Sequence, residues 1–461
     1  MAKAKSKKIT IEDALLPVEE QPYEVPENWC WITIEHAYDV TSSKRVHKSD
    51  WKDTGIPFYR TRELVKLSEQ GYVDNELFIT EELYDDIVSE YGKPNEGDIL
   101  VSGVGTIGIP YVVPANKEFY FKDGNVIWLK NRGIFDSKYM FYLYKSLFMH
   151  NQIYGMSAGT TVDTYTIVNA NKTKVPLPPL AEQQRIVEQI EILFSKLDEA
   201  KEKVQGILNS FDDTWSAITY AAFTGRLTEE WRERNGKKTD WKEYTLQGVC
   251  AMKITDGTHQ TPTYCEKEEG GVPFISAKDV TSKTICWDDI KYIVPELHEE
   301  LYARIAPQID DVLLAKNGTT GVAAIVDTDK VFDIYVTLAV LRPDKDIIVP
   351  RYLYNIVNSP VCKDQFNSHL TGIGVPNLHL RDIKDVKIMI PDKEEQIAVV
   401  RLVDRLWGTY VAAYETAKGV VESIEIMKKS ILAKAFHGEL GTNDLSEESS
   451  IELLKQVIAN E

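Results

Sequence analysis

Apolar residues recur at alternating steps of four and three along a segment that begins just after Pro178. The positions with this spacing are Ile186, Ile190, Leu193, Leu197, Ala200, Val204, Ile207 and Phe211, followed after an extra step of four by Trp215, Ile218 and Ala222. This is the seam of a heptad repeat, and the extra step is a stutter that locally unwinds a supercoil. The spacing predicts one helix from Leu180 to Phe223, about 65 Å long at 1.5 Å per residue.

A second segment further along the chain repeats this seam. Its positions are Val399, Val403, Leu406, Tyr410, Ala413, Ala417, Val420, Ile424, Ile431 and Ala435. Lys428 interrupts the seam, and Met427 is expected to take its place. Because a helix this long cannot bury its seam in one small domain, the two helices are predicted to form an antiparallel coiled-coil stalk between two globular heads. The alternative is two amphipathic helices, each packed on its own domain.

The segments before each helix have a different pattern, of short apolar runs bounded by Gly, Pro, Asn and Asp. Examples are DILVSGVGTIGIPYVV, DDVLLAKNGTTGVAAIV and YVTLAVLRP. Runs of this kind predict strands and hairpins. Shorter helical patterns lie between them, so each segment is predicted to fold as a domain that mixes helices and strands.

The chain is a duplication, with an offset of 213 residues between Gly105 and Gly318 and between Glu182 and Glu395. A period this long indicates a duplicated domain rather than a solenoid. The fold class is therefore predicted to be α/β (α+β), with a mixed domain and a long helix occurring twice. The predicted divisions are a flexible arm (1–26), the first domain (27–175), a helical spacer (176–235), the second domain (241–388), a second helical spacer (389–440) and an acidic tail with a short helix (441–461).

Composition narrows the class of protein. The 53 basic and 71 acidic residues give a formal net charge of −18, which disfavours a nucleic-acid partner unless one cleft stays basic. The five cysteines form no C-x-x-C pair, which argues against a zinc site or disulfide framework and fits a reducing cytosol. No apolar stretch approaches the roughly 18–20 residues of a membrane helix, and the basic N-terminus lacks the apolar core of a signal peptide.

The sequence contains no recognisable catalytic constellation: there is no P-loop, no H-E-x-x-H and no G-x-S-x-G. Residues 103–108 match G-x-G-x-x-G, but a strand rather than a helix is predicted to follow them, and the second copy lacks the first glycine. A dinucleotide site needs the helix. The glycines therefore predict a hairpin turn, with or without a ligand contact at its tip.

Several segments of the chain are recognisable as motifs: PLPPLAEQQRIV, AAFTGRLTEEWR, KSILAKAFHGEL and DGTHQTPTY with the following GVPFISAKDV. In these segments the chain resembles the specificity (S) subunits of Type I restriction-modification systems, most closely the K-type (type IA) subclass. The resemblance implies that each mixed domain is a target-recognition domain reading one half of a bipartite DNA sequence. The helices would then be spacers that set the distance between the half-sites.

The resemblance also implies the partners. They are double-stranded DNA, two modification (M) subunits that methylate adenine N6, and two restriction (R) subunits that complete the endonuclease, all in the cytoplasm and with no membrane. The chain itself would be non-catalytic and hold no metal or cofactor, since S-adenosylmethionine, ATP and Mg would bind the partner subunits. The alternatives are a self-contained methyltransferase, which would need a Pro-Pro-aromatic loop that the sequence lacks, and a coiled-coil adaptor that does not contact DNA.

Polar residues in equivalent loops of the two domains are the candidate DNA contacts, because Arg and Lys pair with guanine edges and Asn with adenine. They are Lys44, Arg45, Arg60, Arg62, Ser102, Thr106, Thr160, Thr161, Thr258, His259, Lys278, Lys316, Asn317, Thr319 and Thr320. The resemblance places the modification-subunit contacts on the helical regions. Those candidates are Glu182, Gln183, Ile186, Ile190, Glu395, Gln396, Lys434 and Phe436.

Overall fold

The computed structural model describes residues 10–157, 162–370 and 377–459. The strands of the first half of the chain are β1 (Cys30–Thr33), β2 (Tyr38–Thr41), β3 (Ile56–Tyr59), β4 (Phe78–Ile79), β5 (Ile99–Ser102), β6 (Pro110–Val112), β7 (Tyr120–Phe121), β8 (Val126–Asn131) and β9 (Lys174–Leu177). The helices of this half are α1 (Ile11–Ala14), α2 (Thr61–Gln70), α3 (Glu81–Tyr91), α4 (Ser137–Tyr144), α5 (Leu147–Ser157), α6 (Ile167–Asn171) and α7 (Leu180–Asn209).

The second half has the same kinds of element. Its strands are β10 (Lys242–Thr245), β11 (Thr255–Asp256), β12 (Tyr264–Cys265), β13 (Val272–Ile275), β14 (Lys291–Ile293), β15 (Val312–Ala315), β16 (Ala323–Ile325), β17 (Asp333–Ile334), β18 (Leu338–Leu341) and β19 (Lys387–Ile390). Its helices are α8 (Phe211–Phe223), α9 (Glu229–Arg234), α10 (Pro295–Arg304), α11 (Pro350–Val357), α12 (Pro360–Ser368), α13 (Leu380–Asp385), α14 (Lys393–Phe436) and α15 (Ser450–Ala459). Single turns of 3-10 helix are Val18–Glu20, Ile34–His36, Lys48–Asp50, Gln247–Val249, Lys267–Glu269 and Ala277–Val280.

The two domains share the topology of the larger sheet, and the smaller sheet of the second domain has one additional strand. The first has a sheet of order β2-β8-β5-β6 and a smaller sheet of order β4-β3-β7, and the second has β11-β18-β15-β16 and β12-β14-β13-β17. In each smaller sheet one pair is parallel, β3 with β7 and β13 with β17, whereas the larger sheets are antiparallel. The duplication and the mixed fold class predicted from the sequence are confirmed.

A pair of strands from its two ends closes each domain. β1 pairs antiparallel with β9, so that Cys30 lies opposite Leu177, and β10 pairs with β19, so that Lys242 lies opposite Ile390. The chain therefore enters each domain beside the point where it leaves for the long helix.

The chain forms two compact units: unit 1 comprises Met1–Val204 and Gly419–Glu461, and unit 2 comprises Gln205–Lys418. Each unit holds one domain, the start of the long helix that follows it, and the end of the other long helix. The helices cross between the units at Val204 and at Lys418.

In unit 1 the start of α7 runs antiparallel to the end of α14. Lys201 pairs with Glu425 at 2.6 Å, and Asp198 pairs with Lys428 about one turn away. The domain core takes in side chains from the end of α14, including Phe436. Burial of apolar area at roughly 25 cal/mol per Å² is the main term that holds such a contact.

In unit 2 α8 runs antiparallel to the first part of α14. The ring centroids of Phe211 and Tyr410 lie 3.5 Å apart, and those of Trp215 and Trp407 lie 4.6 Å apart. Phe223 at the end of α8 enters the core of the second domain. Both sequence interpretations of the helices therefore hold in part, because each helix pairs with the other and also packs on a domain.

The predicted continuous helix from Leu180 to Phe223 is interrupted at Ser210, between α7 and α8. The interruption lies next to the stutter at Phe211, where the heptad pattern changes phase. Ile207, predicted to lie in the seam, is 60% exposed. The seam is thus looser here than the spacing predicts.

The expectation that Met427 replaces Lys428 in the second seam is wrong. Met427 is 47% exposed. The ammonium of Lys428 lies 5.1 Å from the ring centroid of Phe194 and pairs with Asp198. Lys428 itself occupies the seam because its aliphatic stem packs while its charge reaches a partner.

The N-terminal segment, predicted as a flexible arm over 1–26, is packed on unit 1 from residue 10 onward. Leu15 bridges to Ile32 of β1, and the ring of Tyr23 stacks on His437 with centroids 3.8 Å apart. Apolar and aromatic side chains supply this contact, and the basic residues that suggested an arm lie before them.

The C-terminal acidic segment also joins unit 1. Arg185 of α7 donates two hydrogen bonds of 2.8 Å to the carboxylate of Glu447, and Leu454 of α15 is fully buried. Within the described part of the chain, no helix is long and apolar enough to cross a membrane.

Candidate nucleic-acid interface

The glycine-rich segments form hairpin turns, as the sequence predicts. Gly105 and Gly108 have φ of +80°, and Gly318 and Gly321 have φ of +73° and +78°, a region in which glycine is strongly favoured. Each turn joins two antiparallel strands, β5 with β6 and β15 with β16. No helix follows the glycines, so the dinucleotide interpretation fails on geometry.

Only some of the polar side chains of the first turn are exposed. Ser102 is buried, and its hydroxyl accepts a hydrogen bond of 2.8 Å from the amide of Ile109. It holds the turn and cannot touch DNA, which corrects the prediction for this residue. Thr106 is exposed at the tip.

The arginines after β3 are paired with acidic residues of their own domain. Arg60 donates two hydrogen bonds, of 2.7 and 3.0 Å, to the buried carboxylate of Glu63. Arg62 donates to Glu63 at 3.0 Å and to Glu76 at 2.7 Å. Burial raises the pKa of Glu63, but its hydrogen bonds with Arg60 and Arg62 outweigh this and leave the pKa below its usual value. Nearby, Arg45 pairs with Asp123 at 3.2 Å, an ion pair shared with Lys122.

Lys44 lies on the same domain and is exposed. Its ammonium donates to the hydroxyl of Tyr91 at 2.7 Å and lies 4.5 Å from that ring's centroid. The hydrogen bond to Tyr91 is the largest cause that raises the pKa of Lys44, followed by its electrostatic interaction with the same hydroxyl. The first domain therefore presents its cations beside hydrogen-bond acceptors.

In the second domain two candidate contacts turn out to be internal. The ammonium of Lys316 is 2.9 Å from the carboxylate of Asp256, and the side chains are 9% and 5% exposed. Thr258 is buried, and its hydroxyl accepts from the amide of Gln260 at 3.2 Å. The predictions that Lys316 and Thr258 contact DNA directly are corrected, because both side chains make contacts inside the loop.

Asp256 organises the rest of that loop. His259 Nε2 lies 3.2 Å from its Oδ1, and Arg304 donates to its backbone carbonyl at 3.1 Å. A Cβ on Gly257 would lie 2.0 Å from the carbonyl oxygen of Ile334, so only glycine fits there. His259 stays exposed on a rigid support.

The second domain has an open cleft of about 820 Å³ that we call the donor cleft. Its lining residues are Tyr264, Phe274, Ser276, Ala277, Lys278, Asp279, Thr281, Lys291, Asn317, Gly318, Thr319, Tyr335 and Thr337. It brings together three candidates from the sequence, Lys278, Asn317 and Thr319. Thr320 does not line it, and Thr160 and Thr161 of the first domain lie outside the described residues.

Sequence reasoning missed Lys291 and Tyr264 as lining residues. The ammonium of Lys291 lies 4.4 Å from the ring centroid of Tyr264, the contact distance of a cation–π pair. The two residues lie on paired strands, β12 and β14. The alternation of side-chain direction along β14 was the signal available in the sequence for Lys291. The sequence did not predict that β12, which carries Tyr264, pairs with β14.

The paired residues Glu182 and Gln183 are buried in unit 1. Glu182 accepts hydrogen bonds from the indole of Trp29 at 2.7 Å and the amide of Asn443 at 2.8 Å. Burial raises the pKa of Glu182, and these two hydrogen bonds only partly oppose it. Gln183 bonds the backbone of Asp136 at 2.7 Å. The pair therefore fixes the start of α7 to the first domain.

Glu395 and Gln396 do the same in unit 2. Glu395 accepts from Arg232 at 2.5 Å and from the indole of Trp241 at 3.2 Å. Gln396 accepts from the amide of Val349 at 2.8 Å. The recurring Glu-Gln pair is thus an intramolecular clip in both copies.

Seven of the predicted modification-subunit contacts are buried in their own units, so their side chains cannot meet a partner in this conformation. They are Glu182, Gln183, Ile186, Ile190, Glu395, Gln396 and Phe436. Lys434, the eighth, is exposed. The recurring motif on these helices therefore reflects internal packing. A surface that docks a modification subunit would consist of the exposed residues near these positions.

We expect Glu182→Ala to destabilise unit 1 by about 1–3 kcal/mol, because the buried indole of Trp29 and the half-buried amide of Asn443 lose their acceptor. Glu188→Ala, an exposed change on the same helix, should stay within about 0.5 kcal/mol. Denaturant unfolding of the two variants gives the comparison. Equal stabilities would show that the clip does not hold α7.

Within residues 10–157, 162–370 and 377–459, no group of three or more His, Cys, Asp or Glu side chains is arranged to hold a metal ion. The two domains define a duplicated scaffold in which equivalent loops carry different polar chemistry.

This scaffold has known relatives. A family model described as the type I restriction modification DNA specificity domain matches residues 26–208 and again 238–410. Because the two matches take in most of the chain, the chain belongs to this family, and the resemblance noted in the sequence is confirmed.

Individual relatives agree with the family. The specificity subunit of the type I restriction enzyme EcoBI from Escherichia coli is 27% identical over 300 residues, which cover 62% of this chain and 62% of that protein. The EcoKI specificity subunit from Escherichia coli strain K12 is 26% identical over 306 residues, 64% of each chain. The matches thus span just under two thirds of these relatives.

Solved structures share the fold. The HsdS subunit from Thermoanaerobacter tengcongensis has a TM-score of 0.60 at 18% identity, covering 92% of this chain and 100% of that chain. A chain from a structure on complex assembly and conformational transition of the type I R-M system has a TM-score of 0.66 at 20% identity, covering 91% and 100%.

Proposed function

We propose that the chain is the DNA specificity subunit of a type I restriction-modification enzyme and has no catalytic activity of its own. Each domain reads one half of a bipartite DNA target, and the long helices set the distance between the halves. The observation that carries the proposal is the twofold match to the family model over residues 26–208 and 238–410.

Different loop chemistry on one scaffold supports two different half-sites. At equivalent positions after β3 and β13, the first domain has Arg60 and Arg62, and the second has Ser276 and Lys278. In the first domain these cations are hydrogen-bonded to carboxylates, whereas in the second Lys278, 3.7 Å from the Asp279 carboxylate, lines the donor cleft. Base edges differ in their donors and acceptors, so the two domains suit different sequences.

The proposed partners are two modification subunits, which methylate adenine N6 with S-adenosylmethionine, and two restriction subunits, which use ATP and Mg. The complex acts in the cytoplasm.

In unit 2 an exposed groove of about 640 Å³ between α9 and the start of α14 includes Trp231, Ile397 and Arg401. Aromatic and arginine side chains are enriched at protein interfaces, so this groove and Lys434 are the proposed docking residues.

We expect the chain to bind its target specifically only when modification subunits are present. With a net charge of −18, the isolated chain should show no specific complex tighter than about micromolar at physiological salt. The complex should bind in the nanomolar range. Gel-shift titrations with and without modification subunits decide this, and nanomolar specific binding by the chain alone would contradict it.

We expect Glu76→Gln and Arg62→Ala to act in opposite directions on DNA binding by the first domain. Glu76 is 70% exposed and competes with DNA for Arg62, so its neutralisation should tighten binding. Loss of Arg62 should weaken binding roughly tenfold if it contacts a base. Titrations of the complex on target DNA measure both, and a loss of affinity in Glu76→Gln would count against Arg62 as a contact.

A coiled-coil adaptor that does not contact DNA is the second candidate, and the acidic net charge favours it. The same titrations separate the two functions. An adaptor would bind the modification subunits and leave the affinity of the complex independent of DNA sequence.

A further inference from the structure

The donor cleft concentrates hydrogen-bond donors in an acidic chain. Lys278 and Lys291 bring two ammonium groups, and Asn317 and Thr319 bring an amide and a hydroxyl from the tip of the β15–β16 turn. Lys291 is exposed, and its ammonium lies 4.4 Å from the ring centroid of Tyr264. These donors face a space large enough for the edge of a base pair.

One carboxylate lies among the described lining residues, and it is engaged elsewhere. Asp279 is buried, and its Oδ2 accepts from the amide of Ser276 at 2.7 Å and from the Ser276 hydroxyl at 2.8 Å. Its Oδ1 lies 3.7 Å from the ammonium of Lys278. Asp279 therefore fixes the turn that presents Lys278, and the cleft keeps a surplus of positive donors.

The support beneath Asn317 is rigid. Its neighbour Lys316 is held in the buried ion pair with Asp256, and the carbonyl of Lys316 accepts from the amide of Leu378 at 2.7 Å. The first domain repeats this backbone bond between Gly103 and Tyr165 at 2.8 Å. The position of the Asn317 backbone is thus set by the domain before any ligand arrives.

Among base edges in the major groove, guanine offers two acceptors, adenine an acceptor and a donor, and cytosine a donor best met by a carboxylate. Lysine fits guanine, and asparagine fits adenine through N6 and N7. We infer that the donor cleft reads purines of the DNA target at N7, with Asn317, Lys278 and Lys291 as the reading residues. This inference rests on the proposed function and adds the class of base that the second domain recognises.

The equivalent surface of the first domain has an exposed carboxylate beside its cations, unlike the donor cleft. There Arg60 and Arg62 pair with the buried Glu63, and Arg62 also pairs with the exposed Glu76, so an acceptor as well as donors faces outward. A cleft lined mainly by hydrogen-bond donors is therefore a property of the second domain.

The experiment uses the chain assembled with its modification subunits and a duplex that carries the target found by mapping methylated adenines. Each purine of the target is replaced in turn by its 7-deaza analogue, which removes the N7 acceptor. We expect at least one replacement in one half-site to weaken binding roughly tenfold. Asn317→Ala, Lys278→Ala or Lys291→Ala should bind more weakly and lose sensitivity to that replacement.

Lys253→Ala is the matched control, since Lys253 is an exposed lysine of the same unit outside the donor cleft. It should keep both the affinity and the sensitivity of the wild type. Selective binding that no 7-deaza replacement weakens, or variants as sensitive as the wild type, would overturn the inference alone. A wild-type complex with no sequence selectivity would overturn the proposed function and the inference with it.

Discussion

Four residues inserted after Gly206 together with four after Gly419 will lengthen the gap between the two halves of the DNA target by about one or two base pairs. Each insertion adds about 6 Å of helix, and DNA rises ~3.4 Å per base pair. Both sites lie next to the points where the helices pass between units, after Val204 and Lys418. The antiparallel contacts within each unit therefore stay in register. A four-residue insertion acts as a stutter, which a coiled coil absorbs by local unwinding.

Sequencing of methylated sites in cells that carry the double insertion measures the gap. Four residues inserted after Gly236, in the exposed loop between α9 and β10, are the matched control and should leave the gap unchanged. An active complex with the original gap after the double insertion would show that the helices are not the spacer.

Lys316→Ala will destabilise the second domain by about 3–5 kcal/mol, because it leaves the Asp256 carboxylate buried without its closest cation. The ion pair is 2.9 Å long, and its side chains are 9% and 5% exposed. The loop that carries His259 and the turn that carries Asn317 both depend on this pair. We therefore expect DNA reading by the second domain to fail together with stability.

Lys278→Ala is the control for this prediction, since Lys278 is 54% exposed. It should change the free energy of unfolding by no more than about 0.5 kcal/mol while still weakening DNA binding. Replacing Lys316 by Met together with Asp256 by Leu should recover much of the stability, because apolar replacements of a buried pair are often neutral. Denaturant unfolding that finds Lys316→Ala as stable as Lys278→Ala would refute the structural role of Lys316.

Much of the architecture was accessible from the sequence, because periodicity reports directly on buried faces. The heptad seams predicted the long helices, and the glycines at 103–108 and 318–321 predicted turns that the backbone adopts. The interruption at Ser210 follows from the change of phase at Phe211, but a stutter can be absorbed in more than one way.

The site was less accessible, because spacing does not reveal which polar group is buried. Lys316 and Lys278 look alike in the sequence, yet one is paired inside the domain and the other opens onto the donor cleft. Glu182 recurs as Glu395 and suggests a docking surface, whereas both hold their own units together. Such roles depend on partners far apart in the chain.

The donor cleft illustrates the same point. Lys291 and Tyr264 come together through the pairing of β12 with β14, and no local pattern specifies which strands pair. Position along the chain predicted Asn317 and Thr319, because a turn tip is exposed. The residues contributed by neighbouring strands needed the structure.

The central claim is that the two domains read separate halves of one DNA target. Mapping methylated adenines in cells that carry the chain with its modification subunits tests it most directly, when the wild type is compared with Arg62→Ala and Lys278→Ala. The account predicts a bipartite motif in which Arg62→Ala relaxes one half and Lys278→Ala relaxes the other. A motif without two separated halves, or two variants that alter the same half, would contradict it.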